Sequence, residues 1–162
     1  MSHNTRLRVV RPARIVSGGQ TGVDRGALDA AIALGIPHGG WCPLGRLAED
    51  GRIPDHYRLE ETDSPDYPVR TERNVLDSHA TLILCRGLPT GGTELTRRLA
   101  GQHGRPCLVV DLDQPPELET VHRWIAENSP GILNVAGPRE SQFPGIAEQA
   151  AALLARLFGQ TA

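Results

Sequence analysis

The stretch Ala-Arg-Ile-Val-Ser-Gly-Gly-Gln-Thr-Gly-Val-Asp-Arg, residues 13–25, decides the fold. Ala13–Ser17 is a short apolar run, read as a first strand. It ends in glycines that let the backbone turn sharply and pass close to a ligand. From Val23 the apolar residues Ala27, Ala31 and Leu34 recur at helical spacing, with Leu28 and Ile32 beside them, so Val23–Leu34 reads as a helix stopped by Gly35. A strand, a glycine turn and a helix in that order form the opening unit of a parallel α/β sheet. Free N–H groups at such a helix start, together with the helix dipole, favour an anion.

Outward from that unit the same alternation repeats. Pro37–Cys42 reads as a second strand, and Gly45–Pro68 is polar and turn-rich, of a length that marks a functional or a disordered loop. Val69–Ser78 reads as a helix facing inward through Val75 and Leu76, and Thr81–Cys85 as a buried third strand. Gly91-Gly92-Thr93 opens a helix to about Gly101. Cys107–Asp111 is a fourth strand, Pro116–Glu127 a helix with apolar Leu118, Val121, Trp124 and Ile125, and Ile132–Ala136 a fifth strand. Ser141 is expected to cap a last helix running to about Phe158. Short apolar strands alternating with helices predict a Rossmann-like three-layer sandwich, about five parallel strands with helices on both faces. One domain over residues 1–162 is expected, with Met1–Pro12 a loose terminus.

Composition narrows the function. The 162 residues carry 39% hydrophobic and 22% charged side chains, the balance of a globular domain, and a formal net charge of −2. That charge supplies no general attraction to nucleic acid or membrane. All 17 basic side chains are Arg, which excludes a P-loop lysine, a Schiff-base lysine and a lysine base. Positive charge at any site must come from Arg forks, suited to phosphate or carboxylate. The three cysteines, Cys42, Cys85 and Cys107, are odd in number and lack metal-ligand spacing, so neither a disulfide framework nor a zinc knuckle is expected. Cys85 and Cys107 sit in apolar runs as core residues. The six His show no HxxxH or HxH spacing, so no metal site is expected. Ser17 is not in a Gly-x-Ser-x-Gly elbow, so serine hydrolysis lacks support. No apolar stretch approaches membrane-spanning length and no signal peptide is visible, so a cytoplasmic location is the expectation.

The candidate site residues fall at strand ends. In the first turn, Gly18, Gly19, Gln20, Thr21 and Gly22 can cradle phosphate. Thr21 caps the helix with Asp24 as box partner, and Arg25 adds charge-assisted contacts. The competing reading of this turn is a tight, well-capped connection. In the second turn, Gly91, Gly92 and the Thr93 hydroxyl offer the same chemistry at another helix start, with Glu94 following. A sheet order of 2-1-3-4-5, adopted by analogy, makes the first and third strands neighbours and brings both turns to one crevice. After the second strand, Trp41 can stack on a base or pterin, Arg46 can bind phosphate, and Glu49 can orient a sugar or act as a base. Arg73 or Asn74, on the helix before the third strand, and Arg139, after the fifth, complete the set. For Arg73 and Asn74 an exposed polar face is the favoured reading over a place in the crevice.

These motifs, in this order, resemble the putative molybdenum carrier family, the circularly permuted YpsA-like branch of the LOG (lysine-decarboxylase-like) Rossmannoid superfamily. The matching segments are Ile15–Arg25 (IVSGGQTGVDR), Gly39–Gly51 (GGWCPLGRLAEDG), Thr71–Asn74, Leu82–Leu84, Gly91–Glu94 and Asn134–Ser141 (NVAGPRES). The resemblance implies a Rossmann-like fold, a homo-oligomer (dimer or tetramer), and binding of a small phosphorylated ligand, either a nucleotide or the pterin of molybdenum cofactor. A binding or carrier protein is the first reading. A nucleotide N-glycosidic-bond hydrolase, similar to the LOG phosphoribohydrolases with Glu49 or Glu94 as acid/base, is the second. Those hydrolases carry a PGGxGTxxE pattern. Here Pro89–Glu94 keeps Gly-Gly-Thr but has Arg at position 97 instead of the later glutamate.

Overall fold

The computed structural model describes residues 10–114 and 117–159. Its centre is a five-stranded parallel sheet. Strand β1 (Arg14–Val16) leads through the first glycine turn into α1 (Val23–Leu34), and β2 (His38–Gly39) returns beside β1. A long excursion follows, with β3 (Trp41–Cys42), β4 (Leu47–Ala48), β5 (Gly51–Arg52) and β6 (Glu60–Glu61). Then come α2 (Tyr67–Leu76), β7 (Ala80–Cys85), α3 (Gly91–Gln102), β8 (Cys107–Asp111), α4 (Leu118–Asn128), β9 (Ile132–Ala136) and α5 (Ile146–Phe158). Helices α1, α4 and α5 cover one face of the sheet and α2 and α3 the other, giving the three expected layers.

The strand order is β2-β1-β9-β7-β8. The adopted 2-1-3-4-5 order is therefore wrong: the last strand, β9, inserts between β1 and β7, the first and third of the sequence reading. Apolar patterning reports burial and not neighbours, and the runs ILNVA and TLILC are both buried through their centres. One polar pair marks the contact actually made, Asn134 Nδ2 donating to Thr81 Oγ1 at 3.3 Å inside the core.

Several local expectations also change. Pro37–Cys42 is two short strands, because Gly40 takes φ 127° and turns the chain from β1 toward β6. The excursion over 45–68 is ordered by the β4–β5 hairpin and by β6, and its anchor is the buried cluster of Ile53 and Tyr57 with Leu28 and Cys42. The end of the expected loose terminus is docked: Arg11 Nε donates to the Phe158 carbonyl at 2.7 Å and Pro12 is buried. Residues 1–9 and Pro116, the expected start of the fourth helix, lie outside the described residues. Within α1, Ala27, Leu28 and Ala31 are buried as the spacing requires, but Ile32 is half-exposed. The main core joins Ile15, Leu82, Leu84, Leu133 and Val135 of the sheet to Leu154 and Phe158 of α5. Among the described residues no helix is long and apolar enough to cross a membrane.

Candidate ligand-binding crevice

The carboxyl ends of β1, β9 and β7 open onto one crevice of about 130 Å³. Its walls include Gln20 and Asp24 from the first turn, Gly92 and Thr93 from the second, and Arg139 from the loop after β9. Both glycine turns thus border a single cleft although their strands are separated by β9, whose end (Ala136–Pro138) forms the floor between them.

The first turn differs from its sequence reading. Its N–H groups are largely satisfied from within the protein. Gln20 donates to the Asp24 carboxylate at 3.2 Å, Thr21 to the Gln20 side chain at 3.1 Å, and Val23 to the Pro138 carbonyl at 3.1 Å. Asp24 occupies the position that an external anion would take. Nor does Thr21 cap α1. Gly22 is the N-cap, at φ 82°, and a side chain there would strike the Pro138 carbonyl. The Thr21 hydroxyl donates to Glu49 instead.

The second turn is more open. Thr93 and Glu94 donate to the Thr90 carbonyl at 3.1 and 3.3 Å, while the N–H groups of Gly91 and Gly92 have no partner among the described residues. These are first-turn donors of α3, where the helix dipole adds to their pull on negative charge.

The cation at the centre is Arg70, which the sequence reading passed over. It lies against Gly18, whose missing side chain leaves the space the guanidinium fills. Its Nη1 donates to Asp24 at 3.2 Å, with side-chain exposures of 14% for Arg70 and 4% for Asp24. Its buried Nε has no acceptor among the described residues. A buried donor without a partner costs about 1–3 kcal/mol, so such an atom calls for an acceptor. Burial pushes the Asp24 carboxyl above its ordinary range, and Arg70 with the turn N–H groups pulls the other way. Tyr67, whose ring lies 5.5 Å beneath the Arg70 guanidinium, is the aromatic side chain of the crevice wall. One signal for Arg70 was available: Arg70, Thr71 and Asn74 share one face of α2 at helical spacing.

The remaining candidates separate from the crevice. Arg25 donates to Asp50 at 2.7 Å and to the Gly19 carbonyl at 3.1 Å, and faces a different cavity beside Glu140 and Ser141. Arg46 is buried and holds its own loop, donating to the carbonyls of Ile53, Pro54 and Tyr57 at 3.1, 2.7 and 2.9 Å. Trp41 lines a third cavity; Arg73 stacks on its ring at 4.0 Å and its indole N–H donates to Asp77 at 2.7 Å. The Asn74 amide is fully paired with the Trp41 backbone, at 2.8 and 2.9 Å.

Neither candidate glutamate reaches the crevice. Glu49 accepts from Thr21, from the Ser141 hydroxyl and from the Ser141 N–H at 3.1 Å. Partial desolvation opposes ionisation, but these hydrogen bonds prevail and hold the carboxyl below its usual range. Glu94 is paired with Arg97 at 2.8 Å and Arg98 at 3.4 Å, chiefly the first, and is also held low. Ser141, expected to cap the last helix, is spent on Glu49. Glu140 caps α5 instead, accepting from Gly145 and Ala147 N–H at 2.6 and 3.0 Å. Among the described residues no group of three or more His, Cys, Asp or Glu could hold a metal ion.

A three-layer parallel α/β domain with paired glycine turns at the strand ends defines a Rossmann-like class, and within it the chain belongs to the Circularly permutated YpsA SLOG family, whose profile matches residues 15–158. A solved crystal structure, of a protein described as a putative molybdenum carrier protein from Syntrophus aciditrophicus SB, is 46% identical. It superposes with a TM-score of 0.86 over 91% of this chain and 94% of its own. No curated protein sequence matches the chain.

Proposed function

We propose that the chain is a binding or carrier protein that grips the phosphate end of a small nucleotide-like or pterin ligand in the crevice between α2 and α3. The observation that carries this reading is Arg70, a mostly buried guanidinium in the crevice wall whose Nε has no acceptor among the described residues, with Gly92 at the open start of α3 lining the same crevice. Arg139 supplies a second cation at the rim. A phosphate oxygen would complete the hydrogen bonding of all three. The cavity is small against the roughly 300–1,000 Å³ typical of a whole drug-sized ligand. It suits a phosphate and its attached carbon, with the ring system passing Tyr67 toward solvent. The description of the Syntrophus relative as a putative molybdenum carrier supports a molybdenum-bearing compound as one cargo. Without a ligand cluster for the metal among the described residues, this chain would hold such a cargo by its phosphate.

The hydrolase reading is weaker here. An acid that protonates a leaving base needs a raised pKa within reach of the bond, whereas Glu49 and Glu94 are held low and turned elsewhere. Titration calorimetry with inorganic phosphate and with nucleoside 5′-monophosphates tests the proposal. Saturable binding lost in Arg70→Ala is expected. Binding of neither probe, or binding indifferent to Arg70, would overturn it.

A further inference from the structure

A carboxylate is built into the wall of the crevice. Asp24, in the first turn of α1, is almost wholly buried, and its Oδ2 accepts from Gln20 N–H and from Arg70 Nη1, both at 3.2 Å. Gly18 lies against the same side of the guanidinium, where a methyl group would strike Nη1, Cζ and Cδ. Gly18 and Asp24 therefore enclose the Nη1 edge of Arg70 and leave the Nε–Nη2 edge for a ligand. An oxyanion docked on that edge shares one guanidinium with Asp24. The two negative groups then stand a guanidinium's width apart, in a site largely shut off from water.

The groups around Asp24 do little to offset this. Among the described residues, Asp24, Arg70 and Arg139 are the charged side chains that line the crevice, and no His lines it. Helix α3 contributes Thr93 and Thr96, while its Glu94 is paired with Arg97 and Arg98. Strand β9 contributes Asn134, at the small cavity behind Arg70. Arg25, next in sequence to Asp24, is committed to Asp50. Arg139 is exposed at the rim and acts on Glu49 as well. One buried cation is thus matched by one buried carboxylate before any ligand enters. Arg139 balances a singly charged anion. A doubly charged one leaves an excess negative charge beside Asp24, which a site of low dielectric penalises.

We propose that the crevice takes up its anion together with one proton, held by the ligand or by Asp24, so that Asp24 sets the charge state the site accepts. The proposal rests on the phosphate-binding reading above. A phosphate monoester brings the proton in its singly charged form, since its second ionisation falls at about pH 6. Sulfate stays doubly charged and brings none, so the proton passes from solvent to the Asp24 carboxylate. Burial already pushes that carboxyl above its ordinary range, and a bound anion pushes it in the same direction. Protonation also releases Arg70 from its ion pair to serve the anion alone.

The test is titration calorimetry with inorganic sulfate at pH 5.5 and pH 8, in paired buffers of low and high ionisation heat. The difference between buffers is expected to show uptake of up to one proton per sulfate. Affinity is expected to rise about tenfold or more from pH 8 to pH 5.5, as a pKa raised by about one unit on binding requires. Asp24→Asn should bind sulfate with neither the uptake nor the pH dependence, and more tightly than the parent at pH 8. Inorganic phosphate, which carries its own proton, should bind the unaltered protein more tightly than sulfate at neutral pH, a readout that does not depend on the variant folding. Sulfate binding that needs Arg70 yet takes up no proton, uptake that persists in Asp24→Asn, or equal affinity for the two anions at neutral pH would overturn this proposal and leave the phosphate reading standing. Failure of both anions to bind would overturn both.

Discussion

Replacing Arg70 by alanine removes the crevice's buried cation and leaves Asp24 without its counter-charge. Two magnitudes follow. A charge-assisted contact to phosphate is worth about 1.5–3 kcal/mol, so affinity for a nucleoside monophosphate should fall about 10–100-fold. The second magnitude is stability. Breaking one side of a buried ion pair costs about 3–5 kcal/mol at most, and the residual exposure of Arg70 puts this pair below that ceiling. The loss should also depend on pH. The folded pKa of Asp24 lies above its unfolded value because of burial. The stability that comes from protonated Asp24 is therefore present below the ordinary Asp range and lost as pH rises through the folded value. Without Arg70 that folded value climbs further, so the deficit of Arg70→Ala relative to the parent should shrink on acidification. Adding Asp24→Asn should recover stability but not binding. The assay is thermal unfolding from pH 4 to 8 alongside calorimetry with the nucleotide. Unchanged affinity in a folded Arg70→Ala protein, or a stability deficit that grows toward acid, would refute the reasoning.

Gly18→Ala should mimic the binding loss with a smaller effect on melting, because its new methyl displaces only the flexible end of Arg70; calorimetry and calorimetric melting would separate the two. Arg25→Ala should leave nucleotide affinity within about twofold, since its guanidinium is committed to Asp50; a tenfold loss on titration would return Arg25 to the site. Glu49→Gln should lower the melting temperature at neutral pH. Because the folded Glu49 pKa is depressed, its contribution is present above the ordinary Glu range and lost as pH falls through the folded value. The two melting curves should therefore converge in acid, and a gap that persists there would contradict the hydrogen-bond account. Incubation with nucleoside monophosphates should release no free base by chromatography; release abolished in Glu49→Gln or Glu94→Gln would reinstate the hydrolase reading.

The strands and helices were legible because their apolar residues repeat at the periods that burial imposes. Ile15, Leu82–Leu84 and Leu133 could be placed in the core from sequence alone. Strand neighbours were not legible, since nothing in ILNVA announces that it lies between two other strands. The glycine turns were visible as turns, but the fate of their N–H groups was not. That depended on Asp24 folding back into the turn, a contact made by rotamer and not by pattern. Arg25 and Arg46 looked like ligands because an arginine beside a glycine turn reads the same whether it reaches a phosphate, a neighbouring carboxylate like Arg25 or three loop carbonyls like Arg46. Arg70 was hidden by a polar helix whose buried face is only Thr71, Asn74 and Val75, with Arg70 at its margin.

The placement of β9 has a consequence for how the protein is made. As synthesis proceeds, β1 with β2 and β7 with β8 form two separate strand pairs, each showing the growing chain an open inner edge. Neither can reach the other, because the strand that bridges them is the last of the sheet to leave the ribosome. Until residues 132–136 emerge, the nascent chain carries two half-sheets that present apolar edges to each other and to neighbouring chains. Sheet closure, the crevice floor at Ala136–Pro138 and the seating of α5 on α1 can follow only once β9 and then α5 have been made.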